Sequence, residues 1–131
     1  PAVPWFMQLV GAGYYNGNFI YRNMPGRFVQ TGEAYWQGRE PSPQLELMVH
    51  TDWQADKLQQ GQVALPILSR PDSNTLVLGP QLMLATGSVY TKDIGHGVYR
   101  IGTVVRGQAA LAQAVKGDKV VSVTPARVIQ K

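Results

Sequence analysis

The chain has 131 residues, enough for one domain with a single core, and 44% of them are hydrophobic. Only 15% carry charge, while 14 Gly, 9 Pro and twelve Gln point to many turns and a largely uncharged surface. The absence of Cys excludes disulfides, thiolate nucleophiles and thiolate metal sites, and no apolar run approaches the roughly 18 residues of a membrane-spanning helix.

The first residues, Pro1 to Met7, set two prolines ahead of three large apolar side chains. Prolines oppose a regular start to a helix or strand, so residues 1–9 are expected to form an extended N-terminal arm ahead of a single β-rich domain over 10–131. Pro4, Trp5, Phe6 and Met7 on that arm need burial, and they are the candidate assembly contacts.

The stretch GAGYYNGNFIYRN, residues 11–23, raises the question of a phosphate loop, but the strand-like Asn18-Phe19-Ile20-Tyr21 follows it where a helix should open. Asn16-Gly17 instead predicts a two-residue type I′ turn, with a hairpin over 10–15 and 18–23. Residues 27–38 read as a strand broken at Gly32. After the proline-containing loop 39–43, residues 44–50 alternate with Leu45, Leu47 and Val49 on one face, the pattern of a half-buried strand. Thr51-Asp52 then caps a short predicted helix through Trp53 to Gln59.

Strand character returns at 62–69, and after a turn over 70–74 it continues through 75–91, divided at Gly79-Pro80. The loop 92–97 leads into a strand from Val98, residues 108–116 form the most regular predicted helix, and 119–129 read as a terminal edge strand. Short strands at intervals of about ten residues with turn chemistry between them give the expected fold class: mainly β, a small β-sandwich or barrel with one or two short helices and the extended arm.

Little chemistry is spelled out. His50, Asp52 and Asp56, with Asp93 and His96 farther on, are the clustered metal-type ligands, but their spacing does not bring three together, and no metal or other cofactor is expected. None of the serines lies in a nucleophile elbow, and no carboxylate pair stands in a catalytic motif. The net charge of +4 is uneven: residues 1–97 hold six basic and seven acidic groups, while 98–131 hold six basic groups against Asp118. Arg100, Arg106, Lys116, Lys119 and Arg127 make that quarter a candidate basic face. It is sparse beside the sets that bind polyanions by counterion release, so nucleic acid is not the expected partner.

These observations point to a non-enzymatic structural protein. It would self-associate as a homo-oligomer or dock onto other subunits of a larger assembly, such as a decoration or connecting component of a phage particle or a bacterial envelope complex. Virion or envelope is the favoured location, with the cytoplasm as the alternative. A second reading is a β module that binds carbohydrate or another flat ligand on Tyr14, Tyr15, Tyr35, Trp36 and Trp53. A third is single-stranded nucleic-acid binding through the basic quarter.

Overall fold

The computed structural model describes residues 2–34, 45–51 and 55–125. Within them the protein is mainly β, as its composition and turn spacing lead one to expect. The first element departs from expectation: Ala2–Gly11 form helix α1, not an extended arm. Pro4 lies in its first turn, where a backbone N–H has no intrahelical partner to lose, so the residue that argued against a helix is tolerated there. Ala2, Trp5, Phe6, Leu9 and Val10 recur at helical spacing and pack on the main apolar cluster, leaving Val3 and Met7 outside.

A turn at Gly13 stops the helix just past Gly11, and the Gly13 φ of +76° suits only glycine without strain. Gly13 N–H donates to Val10 O and Tyr14 N–H to Leu9 O, each at 3.0 Å, the bonding of a Schellman turn. The hairpin expected at Asn16-Gly17 therefore does not form. Gly17 has positive φ but Asn16 does not, which rules out a type I′ turn.

A hairpin forms one segment later. β1 (Arg22–Met24) and β2 (Phe28–Thr31) pair antiparallel around Pro25-Gly26. Proline sets the first central φ, Gly26 takes the second at +73°, and Arg27 N–H closes the turn on Met24 O at 2.9 Å. Gly32, φ +92°, ends β2 at the predicted break.

The remaining elements are β3 (Leu47–His50), β4 (Lys57–Leu58), β5 (Gln62–Asp72), β6 (Thr75–Leu78), β7 (Leu82–Ala85), β8 (Val89–Tyr90), α2 (Thr91–Ile94), β9 (Val98–Thr103) and α3 (Gln108–Ala112). Seven strands form an antiparallel sheet in the order β1-β2-β7-β5-β6-β3, with β9 also on β5, and β4 pairs with β8 in a separate ribbon. β5 holds this together by changing partner along its length: Val63 and Ala64 face β7, whereas Ile67 to Asp72 pair with β6 across two register shifts.

Three expected elements are corrected in detail. Where a helix was predicted through residue 59, Ala55 bridges to Val98 and Lys57–Leu58 is a strand. The helix predicted over 108–116 is confined to Gln108–Ala112. The predicted terminal strand, within its described part, forms no regular strand: Lys119 bridges to Phe19, the carbonyls of Asp118 and Val120 accept from Ile20 and Gly17, and the N–H groups of Val120 and Val123 donate to Asn18 O and Asn16 Oδ1.

Alternation along the strands sends side chains to two cores. Leu82, Leu65 and Ile67 join Val49, Leu76, Leu78, Tyr14 and Tyr15 under α1. Met83 and Ala85 of β7 point the other way, with Phe28, Ala64 and Val98, into a second cluster closed by Ala55, Leu58, Val89 and Ile94. Both faces of β7 are thus covered, which is why Leu82–Ala85 reads as an unbroken apolar run.

Candidate functional site

The second cluster is where polar side chains enter an otherwise apolar face. Cross-strand pairs share a face, and the register sets Arg22 of β1 opposite Gln30 of β2, Gln30 opposite Met83 of β7, and Met83 opposite Ala64 of β5. Phe28, two residues before Gln30, lies on the same side. Arg22 is half-buried, with its Cζ 5.2 Å from the Phe28 ring centroid and its Nη2 donating to Ile94 O at 3.4 Å. A guanidinium over an aromatic face beside buried Phe28, Met83, Ile94 and Val98 works in a lower dielectric than one in water, so its field on a bound dipole is correspondingly stronger.

Gln30 is 2% exposed. Its Nε2 donates to Gln81 O at 3.3 Å, while its Oε1 is buried without a partner. A native fold rarely leaves such an acceptor unpaired.

Beside this pair lies a cleft of about 220 Å³ lined by Met24, Arg27, Ser88, Val89, Tyr90 and Asp93. Arg22 does not line the cleft itself: Met24 follows it by two residues on the same face, and Asp93 precedes the Ile94 carbonyl that Arg22 touches, so it lies next to two lining residues. The far wall is pinned by hydrogen bonds. Thr91 N–H and Oγ1 both donate to Asp56 O, at 3.0 and 3.1 Å, and Gly95 in the left-handed region (φ +83°) caps α2 through its N–H to Thr91 O. The near wall is held by the Pro25-Gly26 turn, where Arg27 Nη1 donates to Ser88 O at 2.8 Å. A second cleft, about 160 Å³, is lined by Glu33, Ala34, Leu45, Glu46, Leu68, Pro80 and Gln81.

Sequence reasoning singled out none of Arg22, Phe28, Gln30 or Met83. The signal that could have found them is Met24-Pro25-Gly26-Arg27, a turn signature that predicts a hairpin here, although the one-residue offset that sets Arg22 opposite Gln30 comes from the observed register.

The residues it did single out are distributed differently. Pro4, Trp5, Phe6 and Met7 lie on α1, with Trp5 and Phe6 packed on the domain's own core and the Phe6 ring 5.6 Å from that of Tyr15. Tyr14 and Tyr15 are no ligand platform: they are 2% and 0% exposed, 5.0 Å apart in an edge-to-face pair. Their hydroxyls donate to Gly32 O at 2.6 Å and Pro80 O at 2.7 Å. Tyr35, Trp36, Trp53 and Arg127 lie outside the described residues. Arg100 is exposed on β9, Arg106 lies in the loop after it, and Lys116 and Lys119 follow α3, so the basic quarter is spread over separate elements. Among the described residues no three metal-type ligands converge, and no helix is long and apolar enough to cross a membrane.

Burial and the neighbouring Tyr14 hold the Tyr15 phenol protonated well beyond its ordinary range. Tyr15→Phe keeps the ring but strands the Pro80 carbonyl, and it should lower the free energy of unfolding by about 1–2 kcal/mol in a denaturant titration. An unchanged midpoint would mean that water replaces the hydroxyl.

No family model matches this chain, and no curated protein resembles it in sequence. Among solved structures it is similar in fold to the cyclophilin AquaCyp293 from Hirschia baltica, with a TM-score of 0.56, 15% identity and 92% of this chain covered. The chain spans 64% of the length of that structure. This neighbour is a cyclophilin, and the likeness in fold overturns the reading of the chain as a non-enzymatic structural assembly protein. One arginine, one amide and apolar side chains set on adjacent strands leave no contiguous signature in the sequence.

Proposed function

We propose that the protein is a peptidyl-prolyl isomerase that works at the cleft beside Arg22. The observation that carries the reading is the half-buried Arg22 guanidinium, held over Phe28 and next to the cleft residues Met24 and Asp93, in a fold similar to that of a cyclophilin.

Rotation about a peptide C–N bond is slow because resonance gives it a barrier of about 18–20 kcal/mol. At the twisted transition state that resonance is lost, and the prolyl nitrogen becomes pyramidal with a localised lone pair. A guanidinium N–H can donate to that lone pair, an interaction with no counterpart in the planar ground state, so it lowers the barrier instead of merely tightening binding. No covalent step or proton transfer is needed. The prolyl ring would lie between Met24, Val89 and Tyr90.

The test is the relaxation of a Xaa-Pro peptide displaced from its cis/trans equilibrium, followed by NMR exchange in the presence of the purified chain. Uncatalysed relaxation takes roughly tens to hundreds of seconds. A concentration-dependent acceleration is expected, and a rate equal to the spontaneous one at every protein concentration would overturn the assignment.

A further inference from the structure

We infer that the cleft selects proline-containing peptides that carry an acidic side chain next to the prolyl residue, a specificity that rests on the peptide-binding reading of the same site. Residues 1–97 carry six basic groups and seven acidic ones. The described residues of that segment include five basic and five acidic groups; four of the basic ones, Arg22, Arg27, Lys57 and Lys92, lie at or beside this cleft, with Asp56 and Asp93 of the acidic ones. The described part of the segment therefore turns a positive face to one place.

The contacts of the four cations sharpen this. Arg22 meets the Ile94 carbonyl and the Phe28 ring. Arg27 meets the Ser88 carbonyl. Lys57 and Lys92 each hold Nζ near the Tyr90 ring, 5.9 and 5.8 Å from its centroid. Among the described residues none of the four is paired with a carboxylate. Carbonyl dipoles and two ring quadrupoles orient these groups without neutralising them, and the two ammonium groups drawn to the Tyr90 ring repel each other.

Tyr90 is partly exposed and lines the cleft, so the paired lysines border the ground a peptide flanking the prolyl bond must cross. A carboxylate there would be attracted by Lys57, Lys92 and Arg27 together, against the repulsion of Asp93 and Asp56. A lysine in the same peptide position would meet the reverse.

The experiment uses the full chain and three fluorescently labelled peptides identical except for Glu, Gln or Lys beside the proline, with dissociation constants read from anisotropy. At low salt the Glu peptide is expected to bind about tenfold more tightly than the Lys peptide, with Gln between them. The preference should collapse near 1 M NaCl, where the Debye length falls to about 3 Å. A Lys57→Met/Lys92→Met variant, with both changes at exposed positions, should bring the Glu peptide down to the Gln peptide's affinity while circular dichroism stays that of the parent.

Equal binding of the three peptides at low salt would overturn the inference, as would a preference that survives loss of both lysines. Isomerisation without charge preference would remove this inference and leave the isomerase reading standing. Charge preference without isomerisation would do the opposite, and failure of every peptide to bind would remove both.

Discussion

Replacing Arg22 by alanine is expected to lower kcat/KM for prolyl isomerisation by about 10²- to 10³-fold, the loss typical of one preorganised donor to a transition-state charge. Because the proposed hydrogen bond exists only when the amide is twisted, kcat and kcat/KM should fall together and KM should change little. Arg22→Lys keeps the charge but not the planar fork that lies over Phe28, so it should restore only part of the rate. The structural cost should be small by comparison. Arg22 contributes a ring contact and one long hydrogen bond at a half-buried position, together worth about 1 kcal/mol, so the variant should stay folded at room temperature. A folded Arg22→Ala protein with undiminished turnover would exclude the guanidinium from the reaction and require another donor on this face.

The second large effect is expected at Gly32. Its φ of +92° is a conformation that side chains other than glycine rarely adopt, and an added Cβ would stand 2.6 Å from Tyr15 Cε1 and 2.7 Å from Pro80 O. Neither neighbour can move cheaply. The Tyr15 ring is fully buried between Tyr14 and Phe6, and the carbonyl of Pro80 is the acceptor of the Tyr15 hydroxyl. Gly32→Ala should therefore destabilise the fold by about 2–5 kcal/mol, combining backbone strain with overpacking. The denaturation midpoint would shift accordingly, or soluble protein would be lost. A shift below about 0.5 kcal/mol, within the range of neutral surface changes, would mean that the junction between β2 and the Tyr15 core relaxes freely.

What could be read from the chain without its fold was the local part. Gly32 reads as a break because a glycine interrupts an apolar run, Leu47 to His50 alternates as a strand with one face buried, and Gly79-Pro80 divides two strands wherever the chain goes next. These are decided by periods of two and by the φ angles that glycine and proline permit, which are properties of a few neighbouring residues. The mainly β class follows from them.

Other features depended on partners far along the chain. Pro4 and the apolar residues around it suit either an arm or the first turns of a helix, and packing of Trp5, Phe6 and Leu9 on the cluster built by β3, β5 and β6 decides for the helix. Asn16-Gly17 carries a strong hairpin preference, yet the turn lost to a helix stop at Gly13 and to backbone bonds with residues 117–120, about a hundred positions away. Tyr14 and Tyr15 have the composition of a binding platform and the burial of a core, and only contact with Gly32 and Pro80 separates the two.

The candidate site was the least legible of all. Arg22, Gln30 and Met83 lie on three strands, and the register of β1 on β2 and of β2 on β7 brings them into one row. Lys57 and Lys92 come together because β4 pairs with β8 and α2 follows at once. Turn chemistry and alternation are local energies written in consecutive residues. A row across a sheet is a consequence of strand order, which is selected by the packing of both cores together.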